Sequence, residues 1–200
     1  MTGARKIGFL LCCLGSFQYS CTTLNITNYY ANNKIVLDSI QLSYKEQYRN
    51  AAFSVEFSDK AFNHVSLEII TDSFKYIYEF EISEKRLMDT LSKYNINIPR
   101  TKNLINQMKS IRCIWINNLD YYLEGEKQTL VFMSIRPKPF TFPFTNKKYY
   151  ILTYFAQPQY YDKEGRLLDH RKRKKLRKIN EDEFKRINEK VAYTISDRYR

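Results

Sequence analysis

Period-two alternation of apolar and polar residues dominates the chain from residue 34 onward and predicts strands more often than helices. "KIVLDSIQLSY" (34–44) and "AAFSVEFS" (51–58) both carry it, the second placing Phe53, Val55 and Phe57 on one face. "NHVSLEII" (63–70) and "FKYIYEFEI" (74–82) flank Thr71-Asp72-Ser73, a hairpin pattern whose covered face is Phe74, Tyr76, Tyr78, Phe80 and Ile82. The period then becomes helical. Ser83 is placed to cap a helix over 84–94 with Leu87, Met88, Leu91 and Tyr94 on one stripe. Pro99 breaks it, and Thr101 is placed to cap a second helix carrying Leu104, Ile105, Met108 and Ile111. Strands return near 112–123 and 128–136, joined through Gly125, and "KYYILTYFA" (148–156) is apolar on both faces, as a central strand is. A hairpin tip follows around Gly165.

Strands, then helices, then strands again predict an α+β fold, a mainly antiparallel sheet with two central helices. The C-terminal segment 166–200 is expected to add basic, amphipathic helix, since Leu176, Ile179, Phe184, Ile187, Val191 and Ile195 fall near one helical stripe. The pattern fits one long helix or two meeting at Asn180. Glu181, Asp182 and Glu183 after that Asn form an N-terminal signal and favour two. No repeat at a fixed period and no composition break divides residues 34–200, which read as a single domain.

The N-terminus follows another pattern. Residues 1–6 carry two positive charges, and residues 7–15, "IGFLLCCLG", are apolar. That run is well short of the roughly 20 residues that span a bilayer, and Ser16, Gln18 and Ser20 end it. A basic start, a short apolar stretch and small or polar residues describe an export signal. Here the chain resembles bacterial lipoproteins, in the looser form of the Bacteroidota, with Ser20-Cys21 matching the last two positions of the motif. The resemblance covers the first 21 residues. It implies a signal peptide over 1–20, cleavage before Cys21, and acyl chains attached to Cys21. Residues 21–33 then read as a polar tether, and the domain sits in the cell envelope, at the outer membrane or the periplasmic face. A simple secretory cut after Ser16, or an unprocessed cytosolic chain, are the competing readings.

Composition narrows the chemistry. Of five glycines only Gly125 and Gly165 follow Cys21, which excludes a glycine-rich phosphate loop. Cleavage before Cys21 leaves Cys113 as the lone thiol, so no intrachain disulfide forms. Its neighbours Ile111, Ile114, Trp115 and Ile116 mark it as core. Two histidines, His64 and His170, lie too far apart in the chain to build a zinc site. No nucleophile elbow is present, and no constellation of acid, base and nucleophile emerges. No catalytic residue, metal or cofactor is expected.

Charge adds one feature. "RLLDHRKRKKLRK" (166–178) holds eight Lys or Arg against one Asp, more than half of the formal net charge of +12. Arg171, Lys172, Arg173, Lys174, Lys175, Arg177 and Lys178 are therefore the candidate residues for binding an anionic surface, against the plain alternative of a solvated face. In an envelope lipoprotein the counterpart is anionic lipid or an envelope polymer, beside the membrane held through Cys21 and a protein partner the sequence does not identify. Nucleic acid is disfavoured by that compartment. It belongs to the alternative reading, a soluble basic nucleic-acid-binding protein using 166–178. In "RPKPFTFPFT" (136–145) the prolines bar a central strand and leave Phe140, Phe142 and Phe144 for a contact surface or for core. The expectation is a membrane-anchored envelope lipoprotein with a binding or structural role.

Overall fold

Tyr44 and Phe53 show how the two layers meet. Tyr44 is fully buried on helix α1 (Ile26–Tyr48), and its ring meets the Phe53 ring edge-on at 5.2 Å on strand β1 (Ala52–Phe57). The helices therefore cover the sheet face that carries Phe53, Val55 and Phe57. The computed structural model describes residues 26–123, 125–136, 148–169, 172 and 174–199. The expected signal segment 1–20, Cys21, Phe140, Phe142, Phe144, His170, Arg171 and Arg173 lie outside them.

After β1 come β2 (His64–Ile70), β3 (Lys75–Glu81), α2 (Lys85–Lys93), α3 (Ile98–Ser110), β4 (Cys113–Leu123), β5 (Glu126–Ile135) and β6 (Tyr149–Phe155). Four short or terminal strands follow, β7 (Lys178–Ile179), β8 (Asp182–Glu183), β9 (Lys185–Arg186) and β10 (Val191–Ser196). Eight strands form one antiparallel sheet in the order β3-β2-β1-β4-β5-β6-β10-β9, and β7 pairs with β8 apart from it. The fold is α+β with α2 and α3 central, as the sequence predicts.

The chain builds this sheet twice over. A helix followed by a three-stranded meander occurs as α1-β1-β2-β3 and again as α3-β4-β5-β6. The leading strands of the two meanders join them, with Val55 opposite Ile116 and Glu56 opposite Trp115. The helices run antiparallel in the same sense: Tyr29 donates to the Ile111 carbonyl, Gln107 to Ser39 Oγ (3.0 Å), and Thr101 to Gln47 Oε1 (2.8 Å). An approximate two-fold thus passes between β1 and β4, with no counterpart repeat in the sequence.

Two expectations are corrected. Residues 26–33 of the proposed tether and the proposed strand 34–44 are both α1. Its buried positions, Ile26, Tyr30, Leu37, Ile40, Tyr44 and Gln47, recur at helical spacing, while Ile35 and Leu42, which created the alternation, are 87% and 58% exposed. The C-terminal helices over 166–200 are absent among the described residues. That stretch is an arm of bridges and short strands followed by β10, whose β-branched "VAYTIS" pairs with β6. Asn180 and Glu181, read as a helix start, have φ of +52° and +69° and turn the chain from β7 to β8.

Smaller differences concern helix starts. Asn97 caps α3 by accepting from the Arg100 N–H (3.0 Å), and Pro99 lies in its first turn, where a missing N–H costs nothing. Thr101 is inside that helix. Glu84 stands at the start of α2, one residue after the expected Ser83. β6 is buried at every position, as expected of a central strand.

Candidate anion-binding loop

After β6 the arm crosses the sheet face opposite the helices. Leu167, Ile179 and Phe184 are buried there. Ile179 and Phe184, with Trp115, Phe132 and Ile151, line a cleft of about 800 Å³ on that face. Arg166 bridges to Lys185, and the Leu167 N–H donates to the Phe184 carbonyl (2.8 Å). Tyr161 pairs with Leu167 around the Gly165 turn, where the glycine's φ of +76° is one a side chain would strain.

The basic run grows out of this scaffold as a loop. Leu168 pairs with Leu176, and the Asp169 N–H donates to the Lys175 carbonyl (2.8 Å). Inside it the Lys175 N–H donates to the Lys172 carbonyl (2.7 Å), and the Lys172 N–H to Asp169 Oδ1 (2.9 Å). The loop's one acidic side chain is thus turned into the loop as a local cap, while Lys172, Lys174 and Lys175 are exposed. Arg171 and Arg173 belong to the same stretch but lie outside the described residues.

Arg177 is set apart from that tip, whereas Lys178 is exposed like the tip lysines. Arg177 is half-buried, with its guanidinium 5.2 Å from the Tyr121 ring centroid and 5.8 Å from that of Phe155, and it donates to Gln159 Oε1 (3.2 Å). Lys178 stands 4.0 Å from Glu183 across the β7–β8 pair. Arg166 is held by Asp162 (2.7 Å) and Glu164 (3.3 Å), and Arg186 lies over Tyr161. Burial pushes the Tyr161 phenol up to about 12, against the pull of Arg186 and Arg177. The run therefore divides into a structural root and a solvated lysine tip.

No protein-family model, curated protein or solved structure matches this chain.

The remaining chemistry is sparse. His64 Nδ1 lies 3.7 Å from Asp59 Oδ2 at an exposed loop, and Asp59 itself accepts from the backbone N–H groups of Asn63 (2.9 Å) and His64 (3.0 Å). Cys113 is fully buried, its thiol donates weakly to the Trp115 carbonyl (3.4 Å), and burial pushes it up to about 12. Such a group is core and not a nucleophile. Among the described residues no three His, Cys, Asp or Glu side chains gather as a metal site, and no helix is long and apolar enough to cross a membrane. The cleft over Trp115 and Phe132 is the feature sequence reasoning missed. Its walls come from β4, β5, β6, β10 and the arm, which no local pattern joins.

Proposed function

We propose that this chain is a membrane-anchored cell-envelope lipoprotein that binds without catalysing. Its Leu168–Leu176 loop engages anionic headgroups or an anionic envelope polymer. The observation that carries the binding role is the tip itself, with Lys172, Lys174 and Lys175 exposed on a loop whose only acid is folded inward. Each lysine near an anionic surface adds up to ~1 kcal/mol. Anchoring rests on the Ser20-Cys21 motif. With α1 starting at Ile26, the linking residues reach at most about 18 Å, which keeps the domain against the bilayer. Asn188 of the arm donates to Tyr30 of α1 (3.2 Å), so the arm touches the helix nearest the anchor.

The alternative, a soluble nucleic-acid-binding protein, would draw on the whole run 166–178. Of that run, Arg166, Arg177 and Lys178 already pair or stack within the fold. Two measurements test the proposal. The mass of the mature N-terminus from membranes is expected to show acylated Cys21; an unmodified N-terminus in the aqueous phase ends the lipoprotein reading. Co-sedimentation with phosphatidylglycerol vesicles is expected to fall with salt and with Lys172→Glu/Lys174→Glu/Lys175→Glu. Unchanged binding leaves the tip as a solvated face, and tighter binding to RNA than to vesicles selects the alternative.

A further inference from the structure

Strand β3 closes one edge of the eight-stranded sheet, and it is unusually apolar for an edge. Phe74 and Ile77 are each 65% exposed, and Tyr76 is 40% exposed. Of the face expected to be covered, Phe80 is buried and Tyr78 half-buried. The reason is the length of α2. Its nine residues bury Leu87 and Leu91, and beyond its end Tyr94 reaches Tyr78, hydroxyl to hydroxyl at 2.7 Å, but no helix lies over Phe74. An open edge with apolar side chains is a template for another strand.

The backbone shows which residues offer it. The Thr71 N–H donates to the Phe74 carbonyl and the Ile82 N–H to the Asn63 carbonyl, both 2.9 Å. Residues of that parity, Phe74, Tyr76, Tyr78 and Phe80, therefore bond inward to β2. Lys75, Ile77 and Glu79 turn their N–H and C=O groups outward. At the far end the Glu81 N–H is taken by the Glu84 carboxylate (3.3 Å), which ends the open stretch.

We propose that this edge pairs with β3 of a second copy of the chain, antiparallel and centred on Ile77. In that register Ile77 meets Ile77, Lys75 meets Glu79 at two symmetric positions, Tyr76 meets Tyr78, and Phe74 meets Phe80. Every outward-facing backbone group meets an outward-facing one, and every side chain meets one of matching character. Shifting the centre by one residue sets Ile77 against Glu79, or against Lys75. Shifting it by two sets Glu79 against Glu79, or Lys75 against Lys75. One register is favoured, and the charges on the edge select it. Within its own chain Lys75 already pairs with Glu68 (3.0 Å), whereas Glu79 faces Ser66 across the ladder. The second copy therefore supplies Glu79 with a cation.

Antiparallel pairing sets the two-fold axis normal to the sheet, so both helix layers lie on one side of the joined sheet and both basic arms on the other. The basic arms lie on the β4–β6–β10 half of each copy, away from the joint. Their mutual repulsion is therefore weak, and the pair presents two lysine tips to one surface.

Sedimentation equilibrium of the full chain in density-matched detergent, over a concentration series, reads the association directly. The wild type is expected to form a two-copy species. Ile77→Pro removes one outward N–H and leaves the β2–β3 hydrogen bonds intact, and is expected to abolish that species without lowering the melting temperature appreciably. Glu79→Lys and Lys75→Glu each place like charges opposite one another and are expected to weaken association about tenfold or more. Mixing these two single variants restores complementarity at both positions, so the mixture is expected to associate as the wild type does. A wild type that stays single across the series, or association indifferent to Ile77→Pro, or a mixture that fails to recover, overturns the proposal.

Discussion

The guanidinium of Arg177 lies 5.2 Å from the Tyr121 ring centroid, and this contact fastens the root of the basic loop to the sheet. A cation over a partly desolvated ring contributes about 0.5–2 kcal/mol, and the stem of the side chain adds packing. Arg177→Ala is accordingly expected to lower stability to urea by about 1–2 kcal/mol while leaving vesicle binding in place. Arg177→Lys keeps the charge but not the planar stack, and is expected to recover less than half of the loss. Reduced vesicle binding at unchanged stability would return Arg177 to the binding surface.

Tyr44 supports the helix layer in a similar way. Its hydroxyl donates to the Phe53 carbonyl, and burial holds the phenol well above its ordinary value, so it stays a donor at any working pH. Tyr44→Phe keeps the ring contact and leaves the buried carbonyl short of a donor. The expected cost is about 1–3 kcal/mol by chemical denaturation. A neutral result would mean that water reaches the Phe53 carbonyl once the hydroxyl is gone.

The sheet was legible because its strands bury alternate residues, as β2 does with Val65, Leu67 and Ile69. The first helix was not, because Ile35 and Leu42 are apolar yet exposed and overlay a false alternation on the stripe Tyr30, Leu37, Tyr44. The basic segment misled for a related reason. Ile179 and Phe184 do face the core and Leu176 is half-buried, but they come from short bridged pieces whose spacing happens to fit a helical stripe. Its lysine tip could be named from sequence, while the fixing of Arg177 by Tyr121 and Phe155 required the tertiary fold.

Asp59 carries a pH dependence. Burial opposes its charged form, but the His64 and Asn63 N–H groups outweigh that and hold the carboxyl below its ordinary value. Its charged form thus stabilises the β1–β2 loop above the unfolded-state value of about 4, and this contribution disappears as pH falls through the lower folded-state value. The stability gap between wild type and Asp59→Ala is expected to be constant near neutrality and to narrow on acidification. A gap independent of pH down to about 3 would contradict this assignment.

Cys113 sits at the start of β4, beneath the helices, with its thiol pushed up to about 12 by burial. Alkylation at mildly alkaline pH is expected to leave it unlabelled in the folded protein and to label it fully in denaturant, as peptide mapping by mass spectrometry would show. Labelling without denaturant at a rate matching global unfolding is consistent with this placement; faster labelling is not.

The turn between β7 and β8 gives a test whose sign decides between two structures. Asn180 and Glu181 both have positive φ, and Lys178 opposite Glu183 with Ile179 opposite Asp182 makes a two-residue hairpin. Such a turn favours Asn-Gly, because the second position strains any residue bearing a Cβ. Glu181→Gly is therefore expected to stabilise the protein, by up to about 1 kcal/mol. In the first turn of a helix the same change would remove a favourable acidic residue and destabilise by a similar amount. Thermal unfolding of this one variant separates the hairpin from the helix the sequence suggests, and a raised midpoint is the expected result.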